Sequence, residues 1–415
     1  MDLEDYMRRF IRLWTSTSLV LKIFLGLVIG AVLGVTCPGI TAFAIPGTVF
    51  VGALKAVAPI LVALLVMSAI AGAKQGIGRR FRTVIILYLL STLLAALVAV
   101  AGSFLFPVTI ALTETATGNP PEGIGEIFTN LLANMVSNPL DSVSSANYIG
   151  VLFWSVIIGL GLKMYAKETT KTVVSDFSEV ISHAVRWIIQ FAPIGILGLV
   201  YESVSESGLS IFTTYGKLLG LLVGCMLAVA LIVDPLIVAV FLKRNPYPLV
   251  FRCLKESGLT AFFTRSSAAN IPVNMNLCEK LGLEKDFYSV SIPLGATINM
   301  DGASITITVM TLATAHTLGV SVDVPTALIL SLLATLGACG ASGVAGGSLL
   351  LIPMACSLFG IDNAAAMQVV AVGFIISVVQ DSVETALNSS GDVMFAATAE
   401  YHDRMKRKET VERSN

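Results

Sequence analysis

The sequence predicts an all-α integral membrane protein that crosses the bilayer many times and carries two interrupted segments in its C-terminal half. Three observations lead there. Of 415 residues, 55% are hydrophobic and only 13% charged, with a mean hydropathy of +0.85; soluble domains carry about 25% charged residues. Apolar runs recur at the length a spanning helix needs, about 20 residues. Val324–Ile361 has no charge at all, and its centre, GACGASGVAGG, holds five glycines in eleven residues. As one helix it would extend roughly 57 Å, far more than a bilayer needs.

The spans follow in order. Leu19–Thr36 is the first, Val49–Ala73 with its Pro59 the second, and Thr83–Phe106 the third, with Tyr88, Ser91 and Thr92 as its polar spots. Pro107–Asn147 is polar, with four acidic residues and no Lys or Arg; its FTNLLANM stretch suggests a short broken helix. Tyr148–Tyr165, Val185–Tyr201 and Leu218–Leu242 are the fourth to sixth spans, the last broken late by Asp234-Pro235. The N-terminal MDLEDYMRRFIRLW lacks a small-residue cleavage site, so no removed signal peptide is expected. Basic residues cluster before span one and after spans two, four and six, and again at Arg404–Lys408. By the positive-inside bias all lie on the cytoplasmic side, as do both termini.

After residue 252 simple spanning fails. Arg252–Lys280 is too polar to cross, yet contains the small-residue stretch TRSSAANIP. Ser289–Gly319 spans with Asn299 and Asp301 at its centre, and Val324–Ile361 must turn back at its glycines. Non-helical backbone at that depth has to be buried or line a cavity. One pattern thus occurs twice, a small-residue tip followed by a helix with Asn and Asp in its middle. Paired interruptions of this kind mark the substrate site of transporters built from inverted repeats.

The chemistry gathers in VVQDSVETALNSSGDV. Asp381, Thr385, Asn388 and Asp392 sit at offsets 0, 4, 7 and 11, within roughly 60° on one helical face. Glu384 lies at the edge of that face. Carboxylates inside an apolar run are costly in lipid, so the face should look into protein or a water-filled cavity, as a site for a cation, a substrate ammonium or both. In PLGATINMDGA, Gly295 and Gly302 flank Thr297, Asn299 and Asp301. Local unwinding there frees carbonyls to join the side chains around a hard monovalent cation, and oxygen-only ligation suits sodium. The six cysteines and three histidines are scattered and offer neither a transition-metal set nor a catalytic triad. A net charge of −1 points to no nucleic acid.

TRSS, then PLGATINMDG, a glycine-rich hairpin and D-x-x-x-T-x-x-N-x-x-x-D resemble the sodium:dicarboxylate symporter superfamily that includes the glutamate transporters. The resemblance covers nearly the whole chain. It implies a homotrimer, eight transmembrane helices plus two re-entrant hairpins, and an elevator movement. Residues 1–251 would be mostly trimerisation scaffold, with the third and sixth helices packing on the core. Residues 252–400 would form the transport core and 401–415 a cytoplasmic tail. Carried over position by position, Asn299, Asn388 and Asp392 with a carbonyl of Gly295 resemble one sodium site. Tyr88, Ser91, Thr92, Asn299 and Asp301 resemble a deeper one, and Thr297 with carbonyls from Cys339 to Ala341 a third, closed by the second hairpin. Ser266, Ser267 and Val344 resemble backbone contacts to substrate, Asp381 the ammonium ligand, and Thr385 and Asn388 the groups that hold the amino-acid head.

Three departures bear on substrate. Relatives that carry acidic amino acids have arginine at Glu384, threonine at Ala303 and glycine at Ser348. An anionic side chain facing Glu384 would be repelled. A hydroxyl would be welcomed as a donor to a carboxylate. The chain thus most resembles bacterial serine/threonine:sodium symporters of the inner membrane: no enzyme, with sodium as coupling ion and a small neutral amino acid as substrate. A carrier of cationic or acidic amino acids, or an ion channel, are the alternatives.

Overall fold

The computed structural model describes residues 19–72, 79–110, 112, 129, 132–133, 135–339 and 346–414. Among these there is no strand. Helix α1 (Leu19–Thr36) and α2 (Ile45–Gly72) are followed by α3 (Arg79–Leu105), a short α4 (Pro139–Ser144) and α5 (Tyr148–Tyr165). Pro59 sits inside α2 without ending it. Five helical runs among the described residues are long and apolar enough to cross a membrane.

The expected fifth span is instead two helices, α6 (Glu168–Gln190) and α7 (Ala192–Ser207), bent by 55° at Phe191. Pro193 in the first turn of α7 explains the joint, because a proline that opens a helix cannot continue the one before it. The sixth span is also corrected. It is not broken at Asp234-Pro235: α8 (Ile211–Ala228) passes through a π turn (Val229–Val233) into α9 (Asp234–Leu242). The wider turn leaves Pro235 in the opening turn of α9, where a missing N–H costs least.

The C-terminal half follows the expected interruptions. Helix α10 (Tyr247–Cys253), a π turn and α11 (Leu259–Thr264) lead to Arg265 and Ser266, from which α12 (Ser267–Lys280) departs. Arg265 has φ 52°, a left-handed residue that ends α11. Ser266 caps α12, its Oγ accepting from Ala269 N–H at 3.2 Å. Helix α13 (Lys285–Ile298) stops at Asn299, and α14 (Asp301–Thr317) starts anew, so the chain does unwind at Asn299 and Met300. Helix α15 (Val324–Ala338) and α16 (Ile352–Ser357) flank the glycine-rich stretch, and α17 (Asn363–Ser414) closes the chain. A Cβ on Gly337 of α15 would lie 2.4 Å from the Met354 methyl of α16, so these two arms touch.

Two assemblies result. In one, α1 lies so close to α7 that a Cβ on Gly26 would sit 2.1 Å from the Pro193 carbonyl oxygen, and one on Gly30 2.4 Å from that of Leu197. Small residues let helices approach like this in lipid, where association depends on packing. In the other, α3, α8–α14 and α16 surround α17, whose residues from Gln380 to Glu400 are almost all buried.

Candidate functional site

Helix α17 is unbroken through its polar stretch, and the expected face is real. Asp381, Thr385, Asn388 and Asp392 are 4%, 6%, 4% and 0% exposed. Against it lies the gap between α13 and α14. Gly302 N–H donates to Asn388 Oδ1 at 2.7 Å, and Asn299 Nδ2 donates to Asn388 O at 2.9 Å and Asp392 Oδ1 at 3.1 Å. A Cβ on Gly295 would fall 2.8 Å from Asp392 Oδ1 and 2.9 Å from Tyr88 OH, which is why only glycine brings the backbone this near. Asn299, Asn388, Asp392 and Gly295 thus form one cluster.

A second cluster surrounds Asp301. Its Oδ1 lies 3.0 Å from Ser91 Oγ and 2.9 Å from Thr92 Oγ1. Ser91 Oγ also faces Tyr88 O at 3.0 Å and Asn299 Oδ1 at 3.3 Å, while Thr92 Oγ1 faces Tyr88 O at 2.8 Å. Each hydroxyl has one proton and several acceptors around it, so lone pairs exceed protons. Among the described residues, Asp301 Oδ2 and Asp392 Oδ2 are buried without a hydrogen-bond partner. A dehydrated monovalent cation is the species such an oxygen surplus accommodates. Tyr88 OH donates to carbonyls of Ser291 or Asp392, at 3.2 and 3.0 Å.

Thr297 and Cys339 make their hydrogen bonds outside both clusters. Thr297 Oγ1 donates to Leu294 O at 2.7 Å, and Cys339 Sγ lies 3.6 Å from Ile298 O. Both line a cavity of about 680 Å³ between α2, α3, α5, α13 and α15. Ala341 and Val344 lie outside the described residues.

The head-group position holds a finding that sequence reasoning missed. Arg265 Nη2 and Nε each lie 2.8 Å from Asp381 Oδ2. The Gly346 backbone also hydrogen-bonds Asp381, so residues from both interrupted segments meet on this carboxylate. A cavity of about 240 Å³, room for roughly eight waters, adjoins them, with Arg265, Gly346, Phe374 and Ser377 in its wall. Ser267 is buried beside this tip, and Thr385 Oγ1 donates to Asp381 O at 2.7 Å. The signal for Arg265 was available: it is the one charge in TRSS, and a buried aspartate calls for a cationic partner.

At the third position Glu384 Oε2 accepts from Thr306 Oγ1 at 2.7 Å, Ser348 Oγ at 2.9 Å and Gln380 Nε2 at 2.5 Å. Gln380 Nε2 also reaches Thr306 Oγ1 at 2.8 Å. Ala303 is wholly buried in the first turn of α14. Beside it, a Cβ on Gly302 would lie 2.8 Å from Glu384 Cα, which puts the two helices in contact here. Thr306 and Gln380 went unread in the sequence, although Gln380 stands one turn before Glu384. A further buried network, Ser257, Asn270, Asn274 and Ser389, ties α12 to α17 at 2.5–3.4 Å.

Outside the spans, Arg80 pairs with Glu284 at 2.5 Å, and its guanidinium holds that carboxyl below the usual range. Asp323 accepts from Thr326 N–H at 2.9 Å as the N-cap of α15, which likewise lowers its carboxyl.

A model of the sodium:dicarboxylate symporter family matches residues 19–401. Among curated relatives, a protein named serine/threonine transporter SstT from Bifidobacterium adolescentis is 58% identical over 395 residues, covering 95% of this chain and 92% of its own. Proteins of the same name from Streptococcus agalactiae serotype III and Streptococcus thermophilus are 56% and 55% identical over 396 residues, each covering 95% of this chain and 98% of its own.

Proposed function

The chain belongs to the sodium:dicarboxylate symporter family, and from that premise we propose that it is a secondary-active symporter that imports serine and threonine with sodium. The observation that carries the reading is Glu384, which is held by Thr306, Ser348 and Gln380 and has no basic side chain hydrogen-bonded to it among the described residues. A carboxylate in that state repels an acidic side chain and accepts from a hydroxyl. The names of the relatives at 55–58% identity agree with it.

In this reading Asp381 binds the substrate ammonium, displacing Arg265, while Thr385, Asn388 and the tip residues Ser266, Ser267 and Val344 hold the carboxylate end. Asn299, Asn388, Asp392 and Gly295 hold one sodium ion. Tyr88, Ser91, Thr92, Asn299 and Asp301 hold a second, and Thr297 with the segment from Cys339 to Ala341 a third. Residues 1–251 form mainly a trimeric scaffold and 252–400 a moving core of inverted repeats. That core contains two re-entrant hairpins and brings the spans to eight. The tight α1–α7 seam and the burial of Gln380–Glu400 of α17 among the C-terminal helices support this division. The protein sits in a bacterial inner membrane with both termini cytoplasmic, and it performs no covalent chemistry. Proteoliposome uptake of labelled serine, threonine, aspartate and lysine, with and without an inward sodium gradient, tests the assignment. Sodium-driven aspartate or lysine uptake in place of serine would sink it.

A further inference from the structure

Asp234 has no role in any of the sites above, yet it is a conspicuous charge. It is 0% exposed, and both of its carboxylate oxygens lack a hydrogen-bond partner among the described residues. It opens α9 directly after the π turn of Val229–Val233, and its N–H is spent on Val229 O. Such turns inside α-helices displace backbone groups from the regular ladder and recur at functional sites. Helix α9 packs on α3 and α17, the two helices that supply Tyr88, Ser91, Thr92 and Asp392. One turn beyond Asp234, Val238 is buried in the same apolar cluster as Tyr88 and Phe395. Asp234 also lies within electrostatic reach of Asp301, whose Oδ2 is itself unpartnered.

Two wholly buried carboxylates that repel each other need more positive charge than a single ion at Asp301 brings. No lysine or arginine supplies it: none of the ion pairs among the described residues involves either aspartate. We propose that Asp234 is a ligand of a further monovalent-cation position, of the sodium class, adjoining the Ser91–Thr92–Asn299–Asp301 cluster. Asp234, Asp301, Ser91, Thr92 and Asn299 all offer oxygens, which suits a hard cation and not a transition metal. The position rests on the symporter reading and extends it. Asp234 and Asp301 together make the deep end of the core a two-ion compartment in which each ion screens its neighbour's ligand.

The test uses the full-length protein and Asp234→Asn, which keeps the side-chain shape. In proteoliposomes held at zero membrane potential, the sodium gradient that just balances a fixed serine gradient gives the sodium:serine ratio. We expect this ratio to fall by one in the variant, and the sodium needed for half-maximal serine binding by the purified protein to rise at least tenfold. An unchanged ratio, with half-maximal sodium within twofold of the parent, overturns the proposal. A ratio that stays constant while the pH dependence of uptake disappears also overturns it, since Asp234 then carries a proton. Should the variant fail to fold, the parent protein is labelled with a hydrophobic carbodiimide and the Asp234 peptide read by mass spectrometry. Sodium, and not choline, magnesium or calcium, should protect Asp234; labelling indifferent to sodium, or protection by a divalent ion alone, refutes the site. Parent proteoliposomes that take up no serine would defeat the symporter reading instead, so the two failures are distinct.

Discussion

Arg265 Nη2 rests 2.8 Å from Asp381 Oδ2, so a side chain from the turn between α11 and α12 already neutralises the carboxylate assigned to a substrate ammonium. Two cations cannot share one buried oxygen at full strength. Arg265→Ala should therefore lower thermal stability without substrate, since an unpaired buried charge costs about 3–5 kcal/mol. It should also enlarge the stabilisation that serine confers. Melting curves with and without serine check this, and a smaller serine effect in the variant would mean that Arg265 assists binding.

Asp381→Ala should lose serine binding altogether. Truncating one partner of a buried charge pair typically costs about 2–5 kcal/mol or more of affinity, which is beyond recovery at millimolar serine. Calorimetric titration decides it, and near-normal affinity in this variant would remove Asp381 from the head-group site.

The cation clusters make a separate claim. Asp301→Asn and Asp392→Asn each remove a negative charge whose Oδ2 is buried and unpartnered among the described residues. The sodium concentration for half-maximal uptake should rise at least about tenfold in each, the effect of roughly 1.4 kcal/mol of lost ion binding. Protein levels and helicity should stay near the parent's, because Asn preserves the shape. Parent-like sodium dependence in both would exclude them.

The side-chain end is tested by exchange. Glu384→Arg with Ala303→Thr and Ser348→Gly should abolish serine uptake and confer measurable aspartate binding, since a bidentate arginine–carboxylate pair is among the stronger hydrogen-bonded contacts. Failure of all three to admit aspartate, with serine uptake intact, would mean that Glu384 points away from substrate.

Thr306→Val should act on the same carboxylate indirectly. It removes one of three donors to Glu384 Oε2, a loss of about 1.5–3 kcal/mol for a bond to a charged group. Serine should suffer more than alanine, which has no hydroxyl to offer Glu384. Comparing the KM of the two substrates in parent and variant reads this out, and an equal rise for both would assign Thr306 a purely structural part.

Much of this was legible in sequence because the bilayer punishes polar groups. Leu19–Thr36 and Tyr148–Tyr165 end where the apolar runs end, and the chain unwinds at Asn299 and Met300, where glycines flank an intramembrane aspartate. Helix α6 was missed because charged residues mask its length. Its buried Ser178, Ser182, Val185 and Ile189 recur at helical spacing, but two of the four are serines and no apolar run marks them. Asp234-Pro235 misled for the opposite reason, since a strong local breaker was absorbed by a π turn. Thr306 meets Glu384 78 residues away, a pairing local spacing does not announce, whereas the lone charge of Arg265 and the one-turn spacing of Gln380 to Glu384 were signals left unread.

The two-residue gap between α13 and α14 makes the folded state itself answer to salt. In the proposed reading the oxygens gathered there, which Asn299, Ser91 and Thr92 satisfy only in part, gain further from a bound ion, and an unfolded chain offers no such cage. Sodium bound at the proposed sites would then act as a folding ligand as well as a coupling ion. At a hundredfold excess over its dissociation constant it adds about 2.7 kcal/mol to stability. Choline or potassium buffers, chosen for convenience during purification, would withdraw that contribution, and a lower melting temperature in them than in sodium is the expected reading.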